Sequence, residues 1–309
     1  MNSAASHDTG IDAVTGAFRY SGAVIARQLL DRGRRVRTLT GHPQRRPPRS
    51  DIEVAPLDFE DPAGLVTSLS GVTTLYNTYW VRFARGKVDH TVAQQNSRTL
   101  FEAARRAQVQ RVVHISILHA SADSPYPYFR GKAHAEQALT DTGLPYAILR
   151  PSLLFDERGA LVNNIAWMLR RLPVFGVGAG GRYRVRPIHV GDLAKLAIEG
   201  ASWPESRVVD AVGPERPMLV EMVQQIRAAV GSRAKIVAVP GAALLGLSKV
   251  LGAILRDVVL TPEEYRTMEM GLADCDSPAT GEVRLSEWLI DHGDALGARY
   301  SNAVDTYFR

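Results

Sequence analysis

The sequence predicts an α/β fold, in which helices cover both faces of a doubly wound parallel sheet. Apolar strand patterns alternate with helical patterns over residues 11–150. A strand, a glycine-containing turn, a helix and a second strand fit within residues 11–41, the length of one βαβ unit. Beyond Pro151 the alternation loosens. We therefore expect a main domain over residues 1–155 and a smaller mixed α/β lobe over residues 156–309, part of which can return to the main sheet.

Apolar runs predict the strands, and a 3.6-residue periodicity predicts the helices. The expected strands are 11–14, 36–40, 52–57, 72–77, 111–116 and 146–150. The expected helices are 22–32, one beginning near residue 61, 88–107, 128–142, 161–172, 190–201, 217–230 and 262–271. The apolar stretch 242–260 favours a buried helix of the second lobe. The alternative is a helix that lies on a membrane surface or on a partner protein.

Composition bounds the function. The 309 residues are 45% hydrophobic and 22% charged, with a net charge of +5. Basic residues are dispersed apart from Arg45, Arg46 and Arg49, so we expect no nucleic-acid partner. The single cysteine, Cys275, excludes a disulfide within the chain and any zinc site built from cysteines.

With no signal-peptide pattern and no long apolar run, we expect a cytoplasmic protein without an integral membrane segment. Oligomeric state stays open.

The turn over residues 15–22 favours phosphate binding. Gly16 and Gly22 hold the outer positions of a dinucleotide-type glycine pattern, but Arg19 takes the middle one. The Arg19 side chain either points outward and adds a cation beside the phosphates or obstructs the site. A tight turn with no ligand would also give this pattern.

Tyr128 and Lys132 are the strongest chemical signal. Their spacing places both side chains on one face of a helix that follows the fifth strand. An ammonium group near a phenol lowers the pKa of the phenol, so Tyr128 could exchange a proton with an alcohol or a carbonyl. The same spacing also occurs by chance. No histidines show metal-ligand spacing, so we expect no metal site.

The chain resembles the short-chain dehydrogenase/reductase superfamily, in its extended and atypical, epimerase/dehydratase-like group. The resemblance includes the subgroup related to the nucleotide-binding accessory subunit of respiratory complex I. It rests on TGAFRYSG (15–22), LDFEDP (57–62), NSRTLFEAARRAQVQRVVHIS (96–116), the Tyr128/Lys132 pair, ILRPSLLF (148–155) and RPIHVGDLA (186–194).

The resemblance implies a Rossmann-type fold, a nicotinamide dinucleotide and a set of roles. By this resemblance, the diphosphate would be surrounded by Gly16, Phe18, Arg19, Tyr20 and Gly22. The adenine would contact Asp58 and Phe59, and its ribose would lie beside Asn77, Thr78 and Tyr79. Lys132 would hold the nicotinamide ribose, and Pro151 and Leu153 would face the nicotinamide. Tyr128 would be the acid/base, and Asn96 would steady the central helix.

The chain departs from the family pattern in the substrate-polarising serine and at the second strand. Ser116 and Ser121 are both candidates for the serine. No acid ends the second strand, where a carboxylate would hold the ribose of NAD; Thr40 and His42 lie there, with Arg37, Arg45 and Arg46 nearby. We therefore expect NADP, with NAD possible.

The sequence leaves two functions open. The first is an oxidoreductase or epimerase-like enzyme that transfers hydride between nicotinamide and a carbonyl or hydroxyl carbon of a small-molecule substrate. The second is a catalytically silent NAD(P)H-binding sensor or assembly protein. Tyr79, Trp80 and Phe83 either line an apolar substrate pocket or simply pack.

Overall fold

The computed structural model describes residues 10–45 and 49–308. The strands are, in chain order, β1 (Ile11–Thr15), β2 (Arg35–Thr40), β3 (Ile52–Pro56), β4 (Val72–Asn77), β5 (Arg111–Ile115), β6 (Tyr146–Pro151), β7 (Leu154–Phe155), β8 (Val174–Gly178), β9 (Ile188–His189), β10 (Arg207–Ala211) and β11 (Lys235–Val239). The helices are α1 (Tyr20–Asp31), α2 (Pro62–Ser68), α3 (His90–Arg106), α4 (Pro127–Thr140), α5 (Ala160–Arg171), α6 (Val190–Gly200), α7 (Leu219–Ala229), α8 (Gly241–Leu255), α9 (Pro262–Glu269), α10 (Leu285–His292) and α11 (Ala303–Phe308).

A seven-stranded sheet forms the centre of the described chain, in the order β10-β6-β5-β4-β1-β2-β3. All of its neighbouring strands pair in parallel. The chain leaves β1 toward β2 and β3 on one side and continues with β4, β5 and β6 on the other, so the order reverses between β1 and β4. Ligands of open α/β sheets bind beside such a reversal, at the carboxyl ends of the strands. The predicted α/β, Rossmann-type fold is confirmed.

Both faces of the sheet are buried because side chains alternate along each strand. Val14 belongs to a core beneath α1 and α6, whereas Ala13 belongs to a core beneath α2, α3 and α4. β6 accordingly contains a continuous apolar run, in which Ala147, Ile148 and Leu149 are all fully buried.

The carboxyl-terminal half both extends the sheet and forms its own core. β10 pairs with β6, and α6 packs beside α1, where Gln28 Nε2 donates to the Gly191 carbonyl oxygen at 2.9 Å. A third core joins α5, α7 and α10, while β8 pairs with β11 and β7 pairs with β9. The proposed division at residues 155 and 156 stays a prediction.

The structure corrects the interpretation of residues 242–260. α8 is not a buried helix, since its buried side consists of Ser248 and Gly252, while Leu247, Val250 and Ile254 are 61%, 61% and 73% exposed. Apolar composition predicted burial here, but no described element covers this face. In the described part of the chain, no helix is both long and apolar enough to cross a membrane.

Candidate functional site

The turn between β1 and α1 requires glycine at two positions. Gly16 has a φ of +67°, in the left-handed region that other residues rarely adopt. A Cβ on Gly22 would lie 2.4 Å from the Gly16 carbonyl oxygen, so α1 begins directly against the loop. No side chain caps α1, whose N-cap residue is Arg19. Backbone N–H groups at such a helix start suit a phosphate.

The Arg19 side chain is exposed. Its backbone N–H donates to the Gly16 carbonyl oxygen at 2.8 Å, and its stem passes beside Gly16. Phe18 and Tyr20, on either side, pack partly against the core beneath α1. The two alternatives for Arg19, a cation beside the phosphates or an obstruction of the site, stay predictions.

The end of β3 presents an acid beside an aromatic pair. Asp58 is exposed, and its carboxylate accepts the Glu60 N–H at 2.9 Å. The rings of Phe59 and Tyr79 lie 4.8 Å apart, and Asn96 Nδ2 donates to the Tyr79 hydroxyl at 2.8 Å. Asn96 thereby connects the central helix to this aromatic pair.

The end of β2 carries no acidic side chain. Thr40 Oγ1 accepts the His42 N–H at 3.2 Å, and His42 and Arg45 are exposed. Arg37 lies further back: it pairs with Glu53 at 3.0 Å and donates to carbonyl oxygens at the end of α2. Arg37 is therefore not placed to contact a 2′-phosphate, and Arg46 lies outside the described residues.

Asn77 is a structural link between three strands. It is fully buried; its Oδ1 accepts the Thr15 hydroxyl at 3.2 Å, and its Nδ2 donates to His114 Nδ1 at 3.1 Å. Burial lowers the pKa of His114 well below its ordinary value, so this ring is neutral. Thr78, the next residue, donates to the Thr15 carbonyl oxygen at 2.6 Å.

A cleft of about 1360 Å³ opens at the carboxyl ends of the strands, between the sheet and helices α5 and α9. Its lining includes the predicted site residues Tyr20, Thr78, Ser116, Tyr128, Lys132, Pro151 and Leu153. The predicted site residues that do not line it are Gly16, Phe18, Arg19, Gly22, Thr40, His42, Asp58, Phe59 and Asn77. The structure thus brings the predicted catalytic residues together in one cavity, with much of the predicted adenine and phosphate set outside it.

Tyr128 lies in the first turn of α4, half-buried at the cleft wall. Its ring contacts His90 and Trp80 edge-on, with centroid distances of 5.3 Å and 6.0 Å. Its backbone N–H donates to Glu263 Oε1 at 3.1 Å, which connects α9 to the start of α4.

Lys132 lies one turn further along α4 and is 3% exposed. Its Nζ donates to the Ile115 carbonyl oxygen at 2.7 Å and lies 4.6 Å from the centre of the Trp80 ring. Burial lowers the pKa of Lys132 to about 7. The negative charge of Glu136 acts in the other direction and raises this pKa, but by less than burial lowers it. Near neutral pH the side chain is therefore charged only in part, and its effect on the phenol is weaker than the spacing alone implies.

The hydroxyl groups of both candidate serines are hydrogen-bonded to neighbouring residues. Ser116 donates to a Glu136 carboxylate oxygen, and the same carboxylate pairs with Arg150 through two hydrogen bonds of 2.9 Å and 2.5 Å. Ser121 is exposed, and its hydroxyl accepts the Asp123 N–H at 3.3 Å. Ser121 does not line the cleft.

Sequence reasoning missed His90 and Glu263 and left Trp80 undecided. The Trp80 and His90 rings stack at 6.2 Å between centroids. Among the described residues, neither Trp80 Nε1 nor His90 Nδ1 has a hydrogen-bond partner, although both atoms are buried. Buried polar atoms without partners need an explanation, and a ligand site is one of them. Trp80 and Phe83 line the cleft, whereas Tyr79 does not.

Comparison with known proteins matches residues 16–166 to the family described as NAD(P)H-binding. One relative is the mitochondrial NADH dehydrogenase [ubiquinone] 1 alpha subcomplex subunit 9 of Mus musculus, 28% identical over 42% of this chain and 35% of that protein. Another is the photosystem II assembly factor Ycf39 of Cyanophora paradoxa, 23% identical over 74% of this chain and 71% of that protein. The chain thus matches about a third of the mouse protein's length.

Among solved structures, an NADPH-dependent quinone oxidoreductase of Escherichia coli complexed with NADPH has a TM-score of 0.71. It is 21% identical, and the match covers 90% of this chain and 98% of that one. This likeness shows the fold. With the matched NAD(P)H-binding domain and the relatives above, it supports the resemblance of the chain to the atypical short-chain dehydrogenase/reductase-like group of NAD(P)-binding proteins.

Proposed function

We propose that the protein is an NADP-dependent oxidoreductase that acts on a carbonyl or hydroxyl carbon of a small, largely apolar molecule. The observation that carries the proposal is the shared cleft, in which Tyr128 and Lys132 lie beside residues that end β5 and β6. A dinucleotide on the switch point between β1 and β4 would extend into this cleft.

The residues present fit such a dinucleotide. The Gly16 turn and the uncapped start of α1 would hold the diphosphate, and the exposed Arg19 side chain would turn outward and add a cation beside it. The remaining contacts would come from Asp58, Phe59 and Thr78 at the adenosine end and from Lys132, Pro151 and Leu153 at the nicotinamide end. The uncharged end of β2, with Arg45 nearby, supports NADP over NAD.

Bound NADPH would supply a hydride to the carbonyl carbon of the substrate. Tyr128 would donate its phenolic proton to the carbonyl oxygen, so hydride and proton together convert the carbonyl to an alcohol. Lys132, when charged, would stabilise the phenolate that remains. Because the Ser116 hydroxyl is held by Glu136, the unpartnered polar atoms of Trp80 and His90 are the better candidates to contact the substrate.

The cleft lining favours an apolar substrate. Aromatic and aliphatic side chains approach it from both the sheet and the second lobe: Trp80, Phe83, Phe129, Ile165 and Met168. An aromatic or conjugated carbonyl compound would bury its apolar surface against these residues.

The alternative is an NAD(P)H-binding protein without turnover. Two contacts favour it: the Trp80 ring covers the Lys132 ammonium, and Ser116 is bonded to Glu136. The names of the relatives, a respiratory-complex subunit and an assembly factor, are in keeping with it.

The two functions are separated by Tyr128→Phe, with Tyr126→Phe as a matched control. Tyr126 precedes α4, lines the same cleft and donates its hydroxyl to Met270 Sδ. NADPH affinity is measured by fluorescence titration, and turnover is followed at 340 nm with a panel of aromatic ketones, aldehydes and quinones. We expect Tyr128→Phe to bind NADPH normally and to lose about 100-fold or more in kcat, while Tyr126→Phe keeps its activity.

Other outcomes would contradict the proposal. Equal activity of wild type and Tyr128→Phe would remove the phenol from the chemistry. NADPH binding with no turnover of any substrate would favour the silent binding protein. No binding of either nucleotide at millimolar concentration would refute both functions.

A further inference from the structure

α8 presents a large aliphatic surface to solvent. Leu247, Val250 and Ile254 recur at three- and four-residue spacing, so they lie on one side of the helix. Ala243 and Gly246 on the same outward side are also exposed. The C-terminal end of the helix is nevertheless anchored, because Asn302 Nδ2 donates to the Leu255 carbonyl oxygen at 3.1 Å. An apolar face of this kind on an anchored helix is typical of a docking surface.

The charges around this face are basic. Residues 241–256 contain Lys249 and Arg256 and no acidic residue. Both cations are exposed, and both line a recess of about 490 Å³ beside α8 to which Arg85 also contributes. The nearest acid in sequence, Asp257, is buried: its carboxylate accepts the Tyr300 hydroxyl at 2.7 Å and backbone N–H groups of α11. The surface therefore combines exposed aliphatic side chains with the positive charges of Lys249 and Arg256.

α8 also adjoins the entrance of the cleft. Phe83, Ala84, Val259 and Leu260 line both the recess beside α8 and the cleft that contains Tyr128. A surface bound to α8 would lie beside the opening through which an apolar molecule reaches the cleft.

We propose that α8 binds the surface of an anionic lipid bilayer, with its aliphatic face among the acyl chains and its cations among the headgroups. A helix with one apolar side, bordered by Lys and Arg and lacking acids, has the chemistry of such an interface. The charge asymmetry favours lipid over a second copy of this chain, since two copies meeting at α8 would bring their cations together. The proposal concerns a surface separate from the nucleotide site.

The test is flotation of the full chain with vesicles in the absence of nucleotide. We expect binding to vesicles of equimolar phosphatidylcholine and phosphatidylglycerol, weak binding to phosphatidylcholine alone, and release by salt. The triple variant Leu247→Gln, Val250→Gln, Ile254→Gln should lose about tenfold or more in partitioning. Lys249→Gln should lose roughly fivefold. Ile290→Gln removes an aliphatic side chain that is 80% exposed on α10, and it should bind like wild type.

The proposal fails if wild type does not float with anionic vesicles, or if Ile290→Gln loses as much binding as the triple variant. It also fails if α8 instead mediates self-association. In that case sedimentation would show a concentration-dependent dimer that the triple variant abolishes, without vesicle binding. Since no arm of the test uses NADPH, its result is independent of the proposed oxidoreductase activity.

Discussion

Replacing Lys132 with Met should stabilise the protein at low pH. Burial lowers the pKa of Lys132 from an ordinary 10.5 to about 7. This difference corresponds to about 5 kcal/mol against the charged form. Below pH 7 the folded protein carries the whole of this penalty. Between pH 7 and 10.5 the unfolded chain binds more protons than the folded one, so wild-type stability rises with pH.

Met fills a similar volume without a charge, but it loses the hydrogen bond to the Ile115 carbonyl oxygen, about 1 kcal/mol. Lys132→Met should therefore be more stable than wild type by about 4 kcal/mol at pH 6 and by about 1 kcal/mol at pH 9. Urea denaturation at both pH values measures the difference, with the exposed Lys235→Met as the control. An advantage of equal size at pH 6 and pH 9 would show that the Lys132 ammonium is not desolvated as the structure implies.

Two further variants test the glycine turn and the buried carboxylate. Gly22→Ala should lower stability by about 1–3 kcal/mol and weaken NADPH binding, because its Cβ would lie 2.4 Å from the Gly16 carbonyl oxygen. Gly41→Ala, which meets open space, should change neither quantity in thermal unfolding and fluorescence titration. Glu136→Gln should destabilise the protein by about 2 kcal/mol and lower the pKa of Lys132 further, because the carboxylate supports the charged lysine. A pH–stability profile whose midpoint moves upward in Glu136→Gln would contradict this.

The sheet could be predicted because its signals are local. Each strand from β1 to β6 carries buried apolar residues and is bounded by turn residues, and alternation with helices specifies parallel pairing. β8 and β11 were missed because they pair with each other outside the main sheet, in the part of the chain where the alternation of strands and helices has loosened. β8 also contains two glycines, so it resembles a loop. For α8, composition cannot tell a core from a docking surface, since that depends on whether another element covers the helix.

The site was predictable to the same extent. The spacing of Tyr128 and Lys132 places both on one side of α4, and strand order places that helix beside the cleft. Spacing does not show which predicted site residues are hydrogen-bonded to side chains of other elements. Ser116 meets Glu136 only because α4 packs against the end of β5, and Arg37 reaches Glu53 only through the β2–β3 pair. Spacing identifies residues that can act together, but not those that are already engaged.

The position of Trp80 bears on both proposed functions, the enzyme and the binding protein without turnover. Its ring stacks on the Lys132 ammonium and lies edge-on to Tyr128, so a ligand that takes the place beside the ammonium must displace the indole. That displacement gives up a cation–π contact of about 1–2 kcal/mol. It breaks no hydrogen bond at Trp80 Nε1 within the described residues. Dinucleotide binding can supply this energy in an enzyme and in a sensor alike. An enzyme needs one thing more than a sensor. The Tyr128 phenol must face a substrate carbonyl whose carbon is also close enough to the nicotinamide to receive the hydride.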